Sequence, residues 1–181
     1  MNGALRSRGV TLVELLVVVA IIGVVAVVAT PFLSSADPQK LDYAASEFAS
    51  AIRFARSEAM RTGNPTGFWQ SSANKRIRVF RPDTGTSPWT PVYDVYHPVS
   101  RQLYDIDLDD HPLAAADDLS HVRIYRGTCN TERNVYFDDN GTPWCADPET
   151  VLLEQYAITF TLGGYSRVVT LDSISGRVTV Q

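Results

Sequence analysis

Apolar residues fill the chain from Val10 to Leu33 almost without interruption. Five residues of this run fall outside the strongly apolar set: Thr11, Glu14, Gly23, Thr30 and Pro31. As a helix rising 1.5 Å per residue, the run would reach about 36 Å, enough to span a hydrocarbon core of about 30 Å with some tilt. The pattern predicts a transmembrane helix over residues 10–33 with one ionisable side chain, that of Glu14, where a charge is costly.

A second helical pattern covers residues 34–65, where apolar residues recur at steps of three and four. Its stripe is narrow and rich in small residues: Leu41, Ala44, Ala45, Phe48, Ile52, Ala55 and Ala59. This spacing predicts an amphipathic helix that lies close on a sheet and ends near Gly63 and Pro65. In the first helix, Gly23 and Pro31 predict a kink or a local weak point, because glycine lowers helix propensity and proline removes a backbone hydrogen bond.

From Phe68 onward the period of the apolar pattern changes to two, which is typical of strands. Six segments are predicted as strands: residues 76–82, 121–127, 134–137, 157–162, 167–171 and 177–180. Short turn sequences at 138–141, 163–164 and 173–176 indicate antiparallel hairpins. Residues 82–119 are rich in Pro, Asp and Tyr and are predicted to be an irregular surface feature rather than a simple connection.

Charge and cysteine content narrow the function classes. The 181 residues include 16 basic and 20 acidic side chains, a net charge of −4, which argues against a nucleic-acid binder that acts through bulk charge. Both cysteines, Cys129 and Cys145, lie beyond the apolar run. In an oxidising compartment they can form a disulfide across a short loop, and the alternative is two unpaired buried thiols.

No catalytic or metal-binding set emerges, so neither an enzyme nor a cofactor is expected. The histidines lack partners at metal-ligand spacing and are interpreted as surface loop residues: His97, His111 and His121. Three aspartates alternate like the first ligands of a calcium loop: Asp105, Asp107 and Asp109. Asp110 and Ala116 then stand where such a loop needs Gly and Glu, so a solvated acidic loop is favoured over calcium binding.

The three tryptophans are interpreted as packing residues rather than base-stacking platforms: Trp69, Trp89 and Trp144.

Three interpretations of the N-terminus compete. Arg6 and Arg8 precede the apolar run without any acidic residue, which keeps that end in the cytoplasm and sends the rest outward. A cleaved signal peptide could use the small residues at 34–36 as its cleavage site. A plain membrane anchor explains the length of the run but not Glu14.

The third interpretation rests on a resemblance. Gly9 followed by Val10-Thr11-Leu12-Val13-Glu14 resembles the class III signal of type IV prepilins and type II secretion pseudopilins, although the family usually has Phe where this chain has Val10. The resemblance implies that prepilin peptidase cuts after Gly9 and that the new amino terminus of Val10 is methylated. It also implies that Glu14, the fifth mature residue, pairs with the amine of a neighbouring subunit during assembly, because each charge lowers the other's burial cost.

The resemblance extends along most of the chain outside residues 66–120. The segments "ASAIRFARSEAMRTGNP" (49–65), "VYFDDNGTPW" (135–144) and "AITFTLGGYSRVVTLDSISGRVTV" (157–180) are similar to the GspH/FimT family of minor pilins and pseudopilins. This implies an α+β, type IV pilin-like fold, with a long N-terminal helix packed on a C-terminal antiparallel β-sheet. In that fold Gly23 and Pro31 bracket a stretch that can unwind in assembled pili.

The implied organisation has four parts. Residues 1–9 are a prepilin leader peptide, 10–33 the transmembrane and filament-core half of the helix, 34–65 its amphipathic half, and 66–181 a periplasmic β-rich domain. The implied location is the bacterial inner membrane, crossed once, and then the pilus or pseudopilus. The implied partners are other major and minor pilins or pseudopilins, prepilin peptidase and the inner-membrane assembly platform.

The expected function is that of a structural subunit that helps to initiate or cap a type IV pilus or a type II secretion pseudopilus. The alternative is a FimT-like DNA-uptake receptor, which is associated with a C-terminal Gly-Arg-x-Arg pattern. Here Gly176-Arg177 is followed by Val-Thr, so the second arginine is missing. Loss of Arg6 and Arg8 with the leader would leave 14 of the 16 basic residues against 20 acidic ones, which disfavours phosphate binding through Arg177. An enzyme tethered by a signal anchor is a more distant alternative.

Overall fold

The computed structural model describes residues 11–33, 36–70, 75–86, 89–116, 118–126, 135–145 and 151–181. The chain divides into two compact units, Met1–Ala36 and Asp37–Gln181. The predicted leader peptide, with Gly9 and Val10, lies outside the described residues.

The first unit contains helix α1, Leu12–Leu33. Both Gly23 and Pro31 lie within this helix, and their predicted role in flexibility stays a prediction. Among the helices of the described ranges, none is long and apolar enough to cross a membrane, so the span predicted over residues 10–33 is not confirmed.

Helix α2, Ala36–Thr62, carries the small-residue stripe that its sequence predicts. The stripe is fully buried, with 0% exposure at each of its members: Leu41, Ala44, Ala45, Phe48, Ile52, Ala55 and Ala59. Alanine has little volume, so this stripe lets the helix axis approach a sheet closely. The helix ends where glycine was expected to stop it, since Gly63 adopts a φ of 68° and its N–H donates to the Ala59 carbonyl at 2.9 Å.

The described residues of the second unit also form ten strands in two antiparallel sheets. The strands are β1 Thr66–Gln70, β2 Arg76–Asp83, β3 Thr90–Val92, β4 Asp105–Asp107, β5 Ser120–Arg126, β6 Val135–Phe137, β7 Pro143–Cys145, β8 Gln155–Leu162, β9 Tyr165–Leu171 and β10 Val178–Val180. The first sheet has the order β3-β2-β1-β6-β7, with β4 also paired to β2, and the second has the order β10-β9-β8-β5. The single sheet implied by the resemblance is therefore two sheets, while the antiparallel pairing and the α+β class are as expected.

Phe48 of α2 lies where the helix meets both sheets. Its ring centroid is 5.7 Å from that of Phe68 in β1, 6.2 Å from that of Tyr156 and 5.8 Å from that of Phe160, the last two in β8. Edge-to-face and tilted aromatic pairs at these distances are each worth about 0.5–1.5 kcal/mol beyond their buried area. One helix side chain thus fixes the two sheets against α2.

The stretch 82–119, predicted to be irregular, contains two strands. Residues 90–92 of β3 pair with 81–83 of β2, and residues 105–107 of β4 pair with 76–78 of the same strand. The prediction was wrong here because each strand has only three residues, too few for an alternating pattern to be recognised.

The alternating aspartates of this stretch are paired with basic residues. Asp105 accepts from Arg76 at 2.8 Å and from Arg78 at 3.0 Å, and Asp109 lies 2.7 Å from Lys75. The expected solvated acidic loop is therefore wrong for Asp105 and Asp107, whose alternation reflects the strand period of β4, whereas Asp109 lies in an exposed loop after that strand. The described ranges hold no group of His, Cys, Asp and Glu that could bind a metal ion.

Candidate functional site

Glu14 stands in the first turn of α1, and Thr11 caps that turn. The Glu14 N–H donates to the Thr11 Oγ1 at 3.3 Å, and the Leu15 N–H donates to the Thr11 carbonyl at 3.2 Å. A threonine three residues before a glutamate is the spacing of a capping box, and the sequence analysis missed this signal. The helix dipole favours a negative charge at this end, so the fold places a carboxylate at the start of an apolar helix.

The apolar surface of α1 has no partner among the described residues of its own unit. Its large apolar side chains between residues 12 and 25 are all exposed, and Leu12 reaches 81%. Such a continuous exposed apolar surface marks contact with another apolar body, either lipid or protein. Glu14 is the acidic group of this surface, which makes it the chemically distinct position of the helix.

Cys145 lies in β7, where it is 1% exposed and disulfide-bonded. Its predicted partner, Cys129, is outside the described residues, so the pairing stays a prediction.

Arg177 is exposed directly after a tight turn that precedes β10. The turn is closed by two backbone bonds of 2.9 Å, from the Asp172 N–H to the Arg177 carbonyl and from the Gly176 N–H to the Asp172 carbonyl. The Asp172 carboxylate accepts bonds from the Ser175 hydroxyl and N–H at 2.7 Å, and these hydrogen bonds lower the pKa of Asp172. The turn therefore holds Arg177 at a fixed place on the surface.

Two arginines of α2 lie beside Arg177, and sequence reasoning did not connect them with it. Arg53 Nη2 donates to the Val178 carbonyl at 3.2 Å, and Arg56 Nε donates to the Gly141 carbonyl at 3.1 Å. The three arginines line one open groove of about 390 Å³, together with Ser57, Met60, Gly176 and Val178.

Two glycine turns enclose Arg56. Gly141 and Gly176 adopt φ values of 77° and 63°, a region that favours glycine. A Cβ at Gly176 would lie 2.6 Å from Arg56 Nε and 2.8 Å from the Gly141 carbonyl oxygen. The two turns therefore abut, and the helix side chain is held between them.

The histidines make structural contacts. His111 stacks on Tyr43 with ring centroids 4.6 Å apart, and the Tyr43 hydroxyl lies 3.0 Å from its Nε2. His97 Nδ1 accepts from the Val99 N–H at 3.2 Å. His121 lies in β5 rather than in a loop, which corrects the sequence interpretation, because it falls within a strand paired to β8.

The tryptophans pack against neighbouring side chains, as their interpretation expects. Trp144 Nε1 donates to Asp138 at 3.0 Å, and the Arg78 guanidinium lies 5.3 Å from the ring centroid of Trp69. The ring of Trp89 lies 5.0 Å from that of Tyr136.

Each unit of the chain matches a family model. A model of the family described as type II transport protein GspH matches residues 44–176, more than half of the chain. A model of the prokaryotic N-terminal methylation motif matches residues 5–30, which include Gly9 and Glu14. A search among curated proteins found no match.

Solved structures agree on the fold. The chain is similar to the minor pseudopilin EpsH from the type 2 secretion system of Vibrio cholerae, with 10% identity and a TM-score of 0.52 over 78% of this chain and 96% of that one. It is also similar to the type IV minor pilin FimU of Pseudomonas aeruginosa, with 17% identity and a TM-score of 0.51 over 80% and 90% of the two chains. These likenesses confirm the pilin-like fold.

The methylation motif and the family together indicate a membrane-anchored, pilus-related protein, and the family is one of structural proteins that assemble with other pilins. The chain therefore belongs to the family of the type II transport protein GspH, and it is a structural subunit of the minor pilin and pseudopilin type.

Proposed function

We propose that prepilin peptidase cuts this chain after Gly9, that Val10 is methylated, and that the mature subunit helps to initiate or cap a type IV pilus or a type II secretion pseudopilus. The observation that carries the proposal is Glu14, an acidic residue in the first turn of an otherwise apolar, exposed helix that lies within the methylation motif. The role is structural and requires no catalysis.

The apolar helix serves first as a membrane anchor. The proposal places it in the bacterial inner membrane as a single span, with residues 37–181 in the periplasm. The disulfide-bonded Cys145 supports an oxidising compartment, and Cys129 is the only other cysteine of the sequence. Gly23 and Pro31 give this helix the freedom to adjust when it leaves lipid for the filament.

Charge pairing explains why the carboxylate is tolerated. Cleavage creates an α-ammonium on Val10, and in the filament the Glu14 carboxylate pairs with the ammonium of a neighbouring subunit. Removal of one partner from a truly buried ion pair costs about 3–5 kcal/mol, because the other charge is left without compensation. The pair therefore sets the axial register of assembly. The partners are other pilins or pseudopilins, the peptidase and the inner-membrane assembly platform.

Mass spectrometry of the membrane-extracted protein tests the processing step. The expected result is a methylated N-terminus at Val10 in cells that contain prepilin peptidase, and an uncut precursor for Gly9→Ala. An intact Met1, or a mature start near Asp37, would refute the proposal.

Glu14→Ala tests the assembly step. The variant should still be inserted and cut, because loss of a charge favours insertion, while its share in sheared filaments should fall. Glu14→Asp is the matched control that keeps the charge.

Deletion of the gene distinguishes a type IV pilus from a type II secretion system. Loss of surface pili would indicate a pilus, and accumulation of exported proteins in the periplasm would indicate secretion.

The DNA-receptor alternative has less support. Arg177 is exposed, but the second arginine of the receptor pattern is absent and the whole chain carries a net charge of −4. Phosphate binding depends on accumulated positive charge, and the 20 acidic side chains of the sequence outnumber its 16 basic ones.

A further inference from the structure

Three arginines converge on one groove of the second unit, which we call the arginine groove: Arg53, Arg56 and Arg177. Elsewhere in the described part of the chain, five arginines form ion pairs with carboxylates: Arg61, Arg76, Arg78, Arg81 and Arg167. Within the same described ranges, the arginines of the groove form no such pair. In an otherwise acidic chain, three arginines that share one groove without carboxylate partners among the described residues are free to bind an external anion.

The cluster is held in place before any ligand binds. Arg53 and Arg56 each donate to one backbone carbonyl, those of Val178 and Gly141, and a guanidinium has five N–H groups. The remaining donors stay available, and the turn that fixes the backbone of Arg177 leaves its side chain exposed. Such preorganisation lowers the entropy cost of binding.

We propose that the arginine groove binds the carboxylates of an acidic segment on a neighbouring filament subunit, an inference that rests on the proposed function. Guanidinium groups match carboxylates through paired, charge-assisted hydrogen bonds. Met60, which is 51% exposed, lines the same groove and offers an apolar contact to the flanking residues of that segment.

Neighbouring carboxylates favour a short acidic segment over nucleic acid. Asp139 is in the turn that ends at Gly141, and Asp172 begins the turn that ends at Gly176. Glu154 shares the adjacent groove with Arg177 and Asp172. These acidic groups would repel the extended phosphate chain of a duplex, whereas one or two carboxylates can reach the guanidinium groups between them.

Photo-cross-linking in native cells tests the partner. The full chain carries p-benzoylphenylalanine in place of Met60, and sheared filaments are irradiated and analysed by mass spectrometry. The expected product joins this position to another pilin-type subunit at a segment that contains neighbouring Asp or Glu residues. A product that maps to a segment without acidic residues, or the absence of any product from filaments that contain the chain, would overturn the proposal.

Charge removal tests the arginines themselves. Arg177→Gln should lower the yield of the product about fivefold, the upper range for one exposed ion pair, and the triple variant with Arg53→Gln and Arg56→Gln should abolish it. Arg101→Gln is the matched control, because Arg101 is an exposed arginine that does not line the groove. Equal yields from Arg177→Gln and Arg101→Gln would refute the role of the groove.

The same samples separate this proposal from the one on which it rests. Processing at Gly9 and presence in the filament are measured independently of the cross-link. The expected cross-link can therefore be absent although the chain is cut and assembled, and that result would refute the groove proposal alone. A chain that is uncut and absent from filaments would refute both proposals.

In a further experiment, the full chain in detergent is titrated with a short DNA duplex at two salt concentrations. Salt-sensitive duplex binding that is lost in Arg177→Gln would overturn the protein partner in favour of nucleic acid.

Discussion

Gly176→Ala tests the packing of the two glycine turns around Arg56. In the structure, a Cβ at Gly176 would lie 2.6 Å from Arg56 Nε and 2.8 Å from the carbonyl oxygen of Gly141. Side-chain atoms do not tolerate such distances, so either the arginine or the backbone of the 138–141 turn must shift. The substitution also places alanine at a φ of 63°, in the left-handed region.

The magnitude follows from these two costs. A left-handed conformation costs alanine about 1–2 kcal/mol. Displacement of the Arg56 side chain loses its hydrogen bond to Gly141, a charged donor at a half-buried site, worth about 1–2 kcal/mol. The free energy of unfolding should therefore fall by about 2–4 kcal/mol.

Gly164→Ala is the matched control for conformation. Gly164 has a φ of 84°, but a Cβ there would meet nothing within 4 Å. It should lose only the conformational part, about 1–2 kcal/mol. At about 3 °C per kcal/mol for a domain of this size, the expected losses in Tm are about 9 °C for Gly176→Ala and about 5 °C for Gly164→Ala.

Tryptophan fluorescence during thermal and urea unfolding is the appropriate assay, because all three tryptophans lie between residues 69 and 144, within the second unit. A larger loss for Gly176→Ala than for Gly164→Ala supports the close contact of the turns with Arg56. Equal losses for the two variants would refute it and leave backbone conformation as the only role of Gly176.

Two further predictions concern the second unit. A disulfide between Cys129 and Cys145 would close a loop worth about 3 kcal/mol in the chain-entropy model, so Cys145→Ser should lower the urea midpoint, and thiol alkylation of the native protein should label neither cysteine. Free labelling of both would contradict the pairing. Burial raises the pKa of the Tyr104 phenol well above its ordinary value of 10, so the unfolded chain releases this proton first and stability should fall as the pH rises above 10. Urea unfolding at about pH 9 and about pH 11 should show this slope, and Tyr104→Phe should flatten it.

The long elements could be predicted because their patterns repeat. The stripe of α2 recurs over seven positions, and the alternation along β8 and β9 is long enough to distinguish strand from helix. In contrast, β1 was missed as a separate strand. Four of its five residues are buried, but only Phe68 and Trp69 are large apolar residues, so no alternation of polar and apolar residues marks the strand.

The site was only partly predictable for a related reason. Glu14 and Arg177 stand in local motifs, so their positions could be found in the sequence. Arg53 and Arg56 have the sequence pattern of an ordinary polar helix face, and the carbonyls that hold them are 125 and 85 residues away in the chain. A local sequence pattern cannot predict a contact between residues that are so far apart in the chain.

The position of β3 and β4 affects how copies of this chain can associate when they are concentrated side by side. An open edge strand is a template on which another chain can add a strand, a route to aggregation when many copies stand side by side. Here β3 and β4 lie end to end along the outer side of β2 and cover both of its halves. In the pairing of β2 with β3, Pro82 faces Pro91, and neither has an N–H to donate. Copies concentrated at a membrane or in a filament therefore cannot add a strand to β2 itself, and the strands left at this edge, β3 and β4, have only three residues each.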